Sequence, residues 1–278
     1  MKNIFLSLLL ITSLVFSQKI QKAISIDGNE IAFTSQGKGN VSLIFIHGWG
    51  CNKNYWKNQT KEFSKNYFVV ALDLAGHGQS TAKRKSYTMN LFGHDVAAVV
   101  NQLKLNKVIL VAHSLGGAVA LEAKKILKDK VIGIIGVDTY QTLDVGETED
   151  RAEQFLSTFK ENYKGSVESY LGNLFHDNVD TSFSNSIIRD LVKMPKEIGI
   201  DIFRNILKYN YELGVKEAKP KIIAVNGDKF PINLNKVKKV LPTFDYKIVP
   251  NTDHFLMLEN PKAFNEQLSL AIQEMLKM

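Results

Sequence analysis

The chain is poor in the features that define several protein classes. Among 278 residues it has one cysteine, Cys51, so no intrachain disulfide can form. The chain must be held together by its core, and at this length the core is large enough to need no covalent or metal staple. Its 35 lysines and arginines outnumber 28 acidic residues, a formal net charge of +7. There is nevertheless no arginine-rich cluster and no basic–aromatic motif, so nucleic acid is not an expected partner, and solvated helix faces account for the charge. The six histidines show no H-E-x-x-H type spacing. Gly37-Lys38-Gly39 is too short to cradle a phosphate. No metal or cofactor is therefore expected. Internal repeats and low-complexity linkers are absent.

No apolar run reaches the ~20 residues of a membrane span. The longest, Ile4–Phe16, follows Lys2 and precedes Ser17-Gln18. A basic start, a short apolar core and small residues at Val15 and Ser17 predict a signal peptide over residues 1–17, cleaved after Ser17. No cysteine follows that would accept a lipid. The expectation is an exported protein, periplasmic or secreted, without a stable membrane anchor after cleavage.

The rest alternates apolar runs with amphipathic stretches. Val41–Ile46, Phe68–Leu72, Val108–Val111, Val131–Val137 and Lys221–Val225 read as buried strands, with helices over Met89–Leu103 and Leu115–Leu127 between them. This predicts an α/β protein with a mostly parallel, doubly wound sheet. Ala23–Asp27 and Glu30–Thr34, joined by Gly28-Asn29, predict an antiparallel hairpin at its edge. After Asp138 the rhythm breaks. Residues 140–219 carry helical periodicity over Glu149–Tyr163, Ser166–Phe175, Ser184–Lys193 and Ile198–Tyr211 and no convincing strand. Strand and helix then return, with a strand at Asp245–Val249 and a last helix from Pro261. The expected division is a core of residues 18–139 and 220–278 with a helical cap of 140–219 over the sheet's C-terminal edge, where ligands of open α/β sheets bind.

One apolar run ends on chemistry. Val108–Val111 leads into Ala112-His113-Ser114-Leu115-Gly116-Gly117 and directly into a helix. A serine on a sharp strand-to-helix turn is exposed to attack a substrate, and the crowded turn requires small residues two before and two after it. Ala112 and Gly116 fill those places. Ser114 needs a base, and His254, in Pro250-Asn251-Thr252-Asp253-His254-Phe255 just past a strand, is the candidate. A base of this kind needs an orienting carboxylate. Asp228, after Lys221–Val225, keeps the chain order Ser…Asp…His with the acid after the helical insertion and is preferred; Asp138, at the end of Val131–Val137, is the alternative. The oxyanion would be held by the N–H of Leu115 and by that of Trp49, in the glycine-flanked loop His47-Gly48-Trp49-Gly50.

These landmarks resemble the α/β-hydrolase superfamily, and the resemblance covers nearly everything after the N-terminal segment. It rests on His47-Gly48, the Asp73-Leu74-Ala75-Gly76-His77-Gly78-Gln79-Ser80 stretch, the Ser114 elbow and Asp253-His254-Phe255, in that order. The resemblance implies that Asp73–Ser80 is a structural turn and His77 has no catalytic role. Two positions depart from the pattern. Ala112 replaces the first glycine of the elbow, and Asp228 follows Gly227 directly, so that Phe230 stands roughly where the acid usually falls. That shortened loop keeps Asp138 in play. His94 is expected in the core or on the surface, His113 in support of the turn, His176 on the surface of the cap with contact to substrate as the alternative, and Cys51 as a buried small hydrophobe.

The expected function is a serine hydrolase of carboxylic esters or related acyl compounds, with a small-molecule substrate and an acyl-enzyme intermediate. Lactones, amides and carbon–carbon bonds are alternatives on the same fold. Ser114-Leu115-Gly116-Gly117 resembles members that cleave ring-fission products of aromatic compounds. A serine nucleophile argues against dehalogenase and most epoxide-hydrolase chemistry. A non-catalytic binding protein is the remaining class, because fold alone does not prove activity.

Overall fold

A computed structural model describes residues 19–277; the expected signal peptide lies outside them. Eight strands form one sheet: β1 (Gln21–Ile24), β2 (Glu30–Gln36), β3 (Ser42–Ile46), β4 (Phe68–Leu72), β5 (Val108–His113), β6 (Val131–Val137), β7 (Ile222–Asn226) and β8 (Asp245–Ile248). Their spatial order is β1-β2-β4-β3-β5-β6-β7-β8. All pairs from β4 to β8 are parallel; β1/β2 and β2/β4 are antiparallel. The central strands β3, β5 and β7 are buried at every residue, which is why they read as unbroken apolar runs. Burying each Val, Ile or Leu in such a run contributes about 1.5–3 kcal/mol.

Helices α1 (Lys57–Phe63), α2 (Met89–Gln102) and α3 (Gly116–Leu127) belong to the first half of the core. Between β6 and β7 come five helices and no strand: α4 (Glu149–Glu161), α5 (Tyr163–Gly172), α6 (Thr181–Leu191), α7 (Lys196–Leu207) and α8 (Tyr211–Ala218). The chain ends with α9 (Leu234–Val240), α10 (Leu256–Glu259) and α11 (Pro261–Lys277). Helices α2 and α3 cover one face of the sheet, α1 and α11 the other, and α8 brings the helical excursion back onto α3.

Local details differ from the periodicity. The first hairpin strand is Gln21–Ile24, not Ala23–Asp27, because Ser25 turns inward to donate its hydroxyl to buried Asp95 at 2.6 Å. Gly28, at φ +80°, then closes the loop. The stretch read as one helix over Ile198–Tyr211 is broken after Leu207, where Asn210 Oδ1 caps a new helix by accepting the Leu213 N–H at 2.8 Å. The second helix of the excursion ends at Gly172 rather than Phe175, which frees Leu174, Phe175 and His176 as a loop.

The fold creates one special place. From β3 the chain goes to β4 on one side and then to β5 on the other, so the strand order reverses between β3 and β5. Ile46 pairs with Ala112 at the C-terminal ends of these strands. The loops leaving them, His47–Gly50 and Ser114–Gly117, are thus neighbours at the switch point.

Candidate active site

Ser114 has φ +54°, in the left-handed region that non-glycine residues seldom occupy. The strain is held from both sides: its N–H donates to Val137 O at 3.0 Å, and its C=O accepts from Gly117 N at 2.8 Å. The small neighbours are required by contact. A Cβ on Gly116 would lie 3.0 Å from Ile46 O, and one on Gly117 2.6 Å from Thr139 Oγ1. One on Gly48 would lie 2.9 Å from His113 Nδ1 and 3.1 Å from Ser114 Cβ, so the Gly48 backbone rests directly on the elbow. No hydrogen bond within the described residues engages the N–H of Trp49 or of Leu115. Trp49 directly follows Gly48, and Leu115 directly follows Ser114.

The carboxylate beside His254 is Asp138, not the preferred Asp228. His254 Nδ1 is 2.5 Å from Asp138 Oδ2, and the Asp138 side chain is 1% exposed. Asp138 leaves β6 at φ +43°, and its other oxygen accepts the Gly227 N–H at 3.3 Å. Asp228 is turned away. Its carboxylate accepts the N–H groups of Asn251 at 2.8 Å and Thr252 at 3.3 Å, and its ring partner is His176 at 3.3 Å. The cause is the short loop after β7. A Cβ on Gly227 would meet Thr252 O at 2.4 Å, so the loop runs flush against the chain before His254. The next residue then caps that chain rather than reaching the ring. Those backbone bonds, with His176, hold the Asp228 carboxyl below its usual range against the opposing effect of burial.

His113 is more than a turn residue. Its Nε2 lies 2.8 Å from the carbonyl of His254, which can only accept, so Nε2 carries the proton. Burial and the nearby His254 push its pKa well below 6.5, keeping the ring neutral. His47 is a brace as well: Nδ1 donates to Gly48 O at 2.8 Å, Nε2 accepts from Leu74 N at 3.0 Å, and burial lowers its pKa to about 4. His77 is buried, with its pKa lowered to about 3 by burial, and lines no part of the Ser114 cavity. Around it, the Asp73–Ser80 stretch is organised by a buried ion pair. Asp73 takes the Lys53 ammonium at 2.7 Å and the N–H groups of Lys53 and Gln79 at 2.6 and 2.9 Å.

Ser114 and His254 open on a cavity of about 70 Å³. Its core side is formed by Trp49, Cys51, Leu115 and Phe255, and its other side by Tyr170, Leu174, Leu191, Phe203 and Ile206 from the helical excursion, which is therefore a cap over the serine. Trp49 joins the two sides: its indole N–H donates to Gly199 O at 3.1 Å and its ring lies 4.5 Å from that of Phe203. No Asp, Glu, Lys or Arg lines the cavity. Cys51 faces it as a buried thiol, its pKa raised by burial, which makes it inert. Larger clefts of about 560 Å³ between α1 and α11 and about 540 Å³ beside Arg84 contain neither Ser114 nor His254. Among the described residues no group of three or more His, Cys, Asp or Glu is arranged to hold a metal.

A sequence profile of the alpha/beta hydrolase fold matches residues 41–186, just over half of the chain. The chain belongs to the alpha/beta hydrolase fold family. Its region of similarity to the non-heme chloroperoxidase CPO-A1 of Kitasatospora aureofaciens is 39% identical over 92 residues, 33% of this chain and 33% of that protein. The chain thus spans about a third of the length of such local relatives. The match to the pimeloyl-[acyl-carrier protein] methyl ester esterase of Wigglesworthia glossinidia brevipalpis runs further. It is 26% identical over 244 residues, 82% of this chain and 92% of that protein. Among solved structures, a bromoperoxidase from Bacillus anthracis superposes with a TM-score of 0.78 at 20% identity, covering 92% of this chain and 100% of that one. This alpha/beta hydrolase thus shares its fold with proteins of more than one named activity.

Proposed function

We propose that the protein is a serine hydrolase of carboxylic esters in which Ser114 is the nucleophile, His254 the general base and Asp138 the orienting acid. The observation that carries this reading is the 2.5 Å contact of His254 Nδ1 with a buried carboxylate, beside the cavity onto which the strained Ser114 opens. Asp138 accepts from Nδ1–H, which leaves the Nε2 lone pair for the serine proton. Ser114 Oγ adds to the ester carbonyl carbon while its proton passes to Nε2. The resulting alkoxide lies against the N–H groups of Trp49 and Leu115. Collapse breaks the bond to the leaving oxygen, which takes the proton from Nε2. Water, deprotonated by His254, then releases the acid and restores the serine.

The cavity supports a narrow acyl specificity. Pockets that enclose drug-sized ligands measure roughly 300–1,000 Å³, far more than the space here, and no charged side chain lines it. The expected acyl group is short, apolar and uncharged. Esterase activity in the Wigglesworthia relative agrees with an ester substrate.

The test is a panel of p-nitrophenyl esters from acetate to decanoate, with lactones, amides and an anionic succinyl ester, run on the purified protein and on Ser114→Ala. Acetate or propionate should lead, and Ser114→Ala should lose at least 10³-fold. Turnover unchanged in Ser114→Ala would remove the mechanism, and preference for a lactone or amide would move the substrate class. A binding protein would leave Ser114 unlabelled by a fluorophosphonate. We also propose export of the mature chain, checked by N-terminal sequencing of protein recovered outside the cytoplasm; an intact Met1 would refute cleavage after Ser17.

A further inference from the structure

One segment of the cap is fastened to the chain around His254 residue by residue. The Leu174 carbonyl faces the His254 N–H at 3.5 Å. The Phe175 ring stacks on that of Phe255, with centroids 5.6 Å apart and planes 21° from parallel. The His176 N–H donates to Asp253 Oδ1 at 2.8 Å. The His176 ring then reaches across two carboxylates, with Nε2 3.3 Å from Asp228 Oδ1 and 3.4 Å from Asp253 Oδ1. Asp253, the residue before the base, is 0% exposed, and its second oxygen has no hydrogen-bond partner among the described residues. Its own N–H donates to Glu259 Oε2 at 2.8 Å.

A buried carboxylate between two other acids is a costly arrangement unless a donor compensates it. Burial pushes the Asp253 carboxyl up; the His176 N–H and the charges of His176 and Lys229 pull it back, against repulsion from Asp228 and Glu259. The one hydrogen bond to the Asp253 carboxylate comes from the His176 backbone N–H, while the His176 ring bonds Asp228 and lies 3.4 Å from Asp253 Oδ1. The same loop contributes Leu174 to the wall of the Ser114 cavity, whereas His176 lines no part of it. The wall of the Ser114 cavity and the contacts of the cap with the chain around His254 therefore share three consecutive residues.

We propose that His176 is a positioning residue for His254: by tying Asp253 and Asp228 to the cap, it makes a closed cap and an aligned base a single state. This rests on the reading of His254 as the base. Without the ring, Asp228 loses its tie to the cap, Asp253 is left with the backbone N–H alone, and the chain at 253–255 loosens with the cap loop. The ester still finds its cavity, but the base is less often in line with Ser114. Misplacing a catalytic group by about 1 Å can cost on the order of 10²-fold in rate.

The experiment compares wild type, His176→Ala and His176→Gln, whose amide can still donate to either carboxylate. Amide hydrogen exchange of the segment around residues 250–258 is read first and needs no activity. His176→Ala should exchange several-fold faster there, and His176→Gln should recover most of the protection. With p-nitrophenyl acetate, kcat per burst-titrated site should fall about tenfold in His176→Ala while KM stays within twofold, and His176→Gln should restore at least half of the loss. A structural role alone would lower the fraction of titratable protein and leave kcat per site unchanged. Unchanged exchange, or unchanged kcat per site in His176→Ala, overturns the proposal. Faster exchange in His176→Ala together with no burst and no fluorophosphonate labelling of wild type would overturn the hydrolase reading instead.

Discussion

Replacing Asp138 by Asn tests the site at its least sequence-evident point. The carboxylate serves two donors, His254 Nδ1 at 2.5 Å through Oδ2 and the Gly227 N–H at 3.3 Å through Oδ1. An amide has one acceptor. If its oxygen stays on the Gly227 N–H, its NH2 faces Nδ1, and the imidazole must take the opposite tautomer with its proton on Nε2. The nitrogen that should take the serine proton then already carries one. If the amide flips, the buried Gly227 N–H loses its partner at a cost of about 1–3 kcal/mol, and the charge that stabilises the imidazolium is still gone. Either arrangement leaves the fold intact; the first blocks the base and the second weakens it. The expected loss in kcat is ~10³–10⁴-fold, as for this substitution in a Ser-His-Asp triad, or about 4–5.5 kcal/mol of transition-state stabilisation. Asp228→Asn should cost less than about tenfold, because its side chain touches the base only through His176 and the 251–252 turn. The assay is p-nitrophenyl acetate turnover with thermal melts of each variant. Asp138→Asn retaining more than a tenth of kcat, with Asp228→Asn losing ~10³-fold, would refute the assignment.

Three other outcomes follow from the same contacts. Gly48→Ala places a Cβ 2.9 Å from His113 Nδ1 and 3.1 Å from Ser114 Cβ, so the Trp49 N–H must move; kcat should fall about 10²-fold, as for loss of one oxyanion donor, while urea midpoints shift little. Lys53→Met strands the buried Asp73 carboxylate and should destabilise the chain by about 3–5 kcal/mol, read by urea unfolding at pH 7; a shift below about 1 kcal/mol would mean Gln79 and the backbone suffice. Acid should weaken the fold through its buried histidines. His47 and His77 titrate at about 4 and about 3 when folded, against 6.5 ordinarily, so the unfolded chain takes up these protons first. Their contribution to stability is intact above pH 6.5 and is lost as pH falls toward about 4 for His47 and about 3 for His77, at about 1.4 kcal/mol per pH unit for each. His77→Gln should flatten the fall in urea midpoint between pH 7 and 5, and an unaltered slope would contradict it.

Local chemistry was enough to find Ser114, because a buried strand, small neighbours and a helix start all lie within ten residues of one another. Gly48 and Trp49 were legible for a similar reason: a loop that must touch an elbow needs glycine. His254 was legible because it follows a strand near the sheet's C-terminal edge. The acid was not. Asp138 and Asp228 both end strands in the sequence, and β6 and β7 are adjacent and parallel, so both carboxylates start from the same edge. Direction decides between them. The left-handed backbone of Asp138 aims its side chain at the ring, and Gly227, pressed against Thr252, hands Asp228 to the backbone beyond it. The turn-supporting role expected of His113 and the surface role expected of His176 leave out their partners, the His254 carbonyl and Asp253, which lie 141 and 77 residues away.

The amino-acid sequence by itself determined the strands, the Ser114 elbow and the glycine-flanked loop beside it, because each follows from neighbours along the chain. Tertiary structure alone decided which carboxylate lies against His254, how small the cavity is and what ties the cap to the chain around His254. Those depend on side-chain directions at strand ends and on segments that meet only after the sheet has formed.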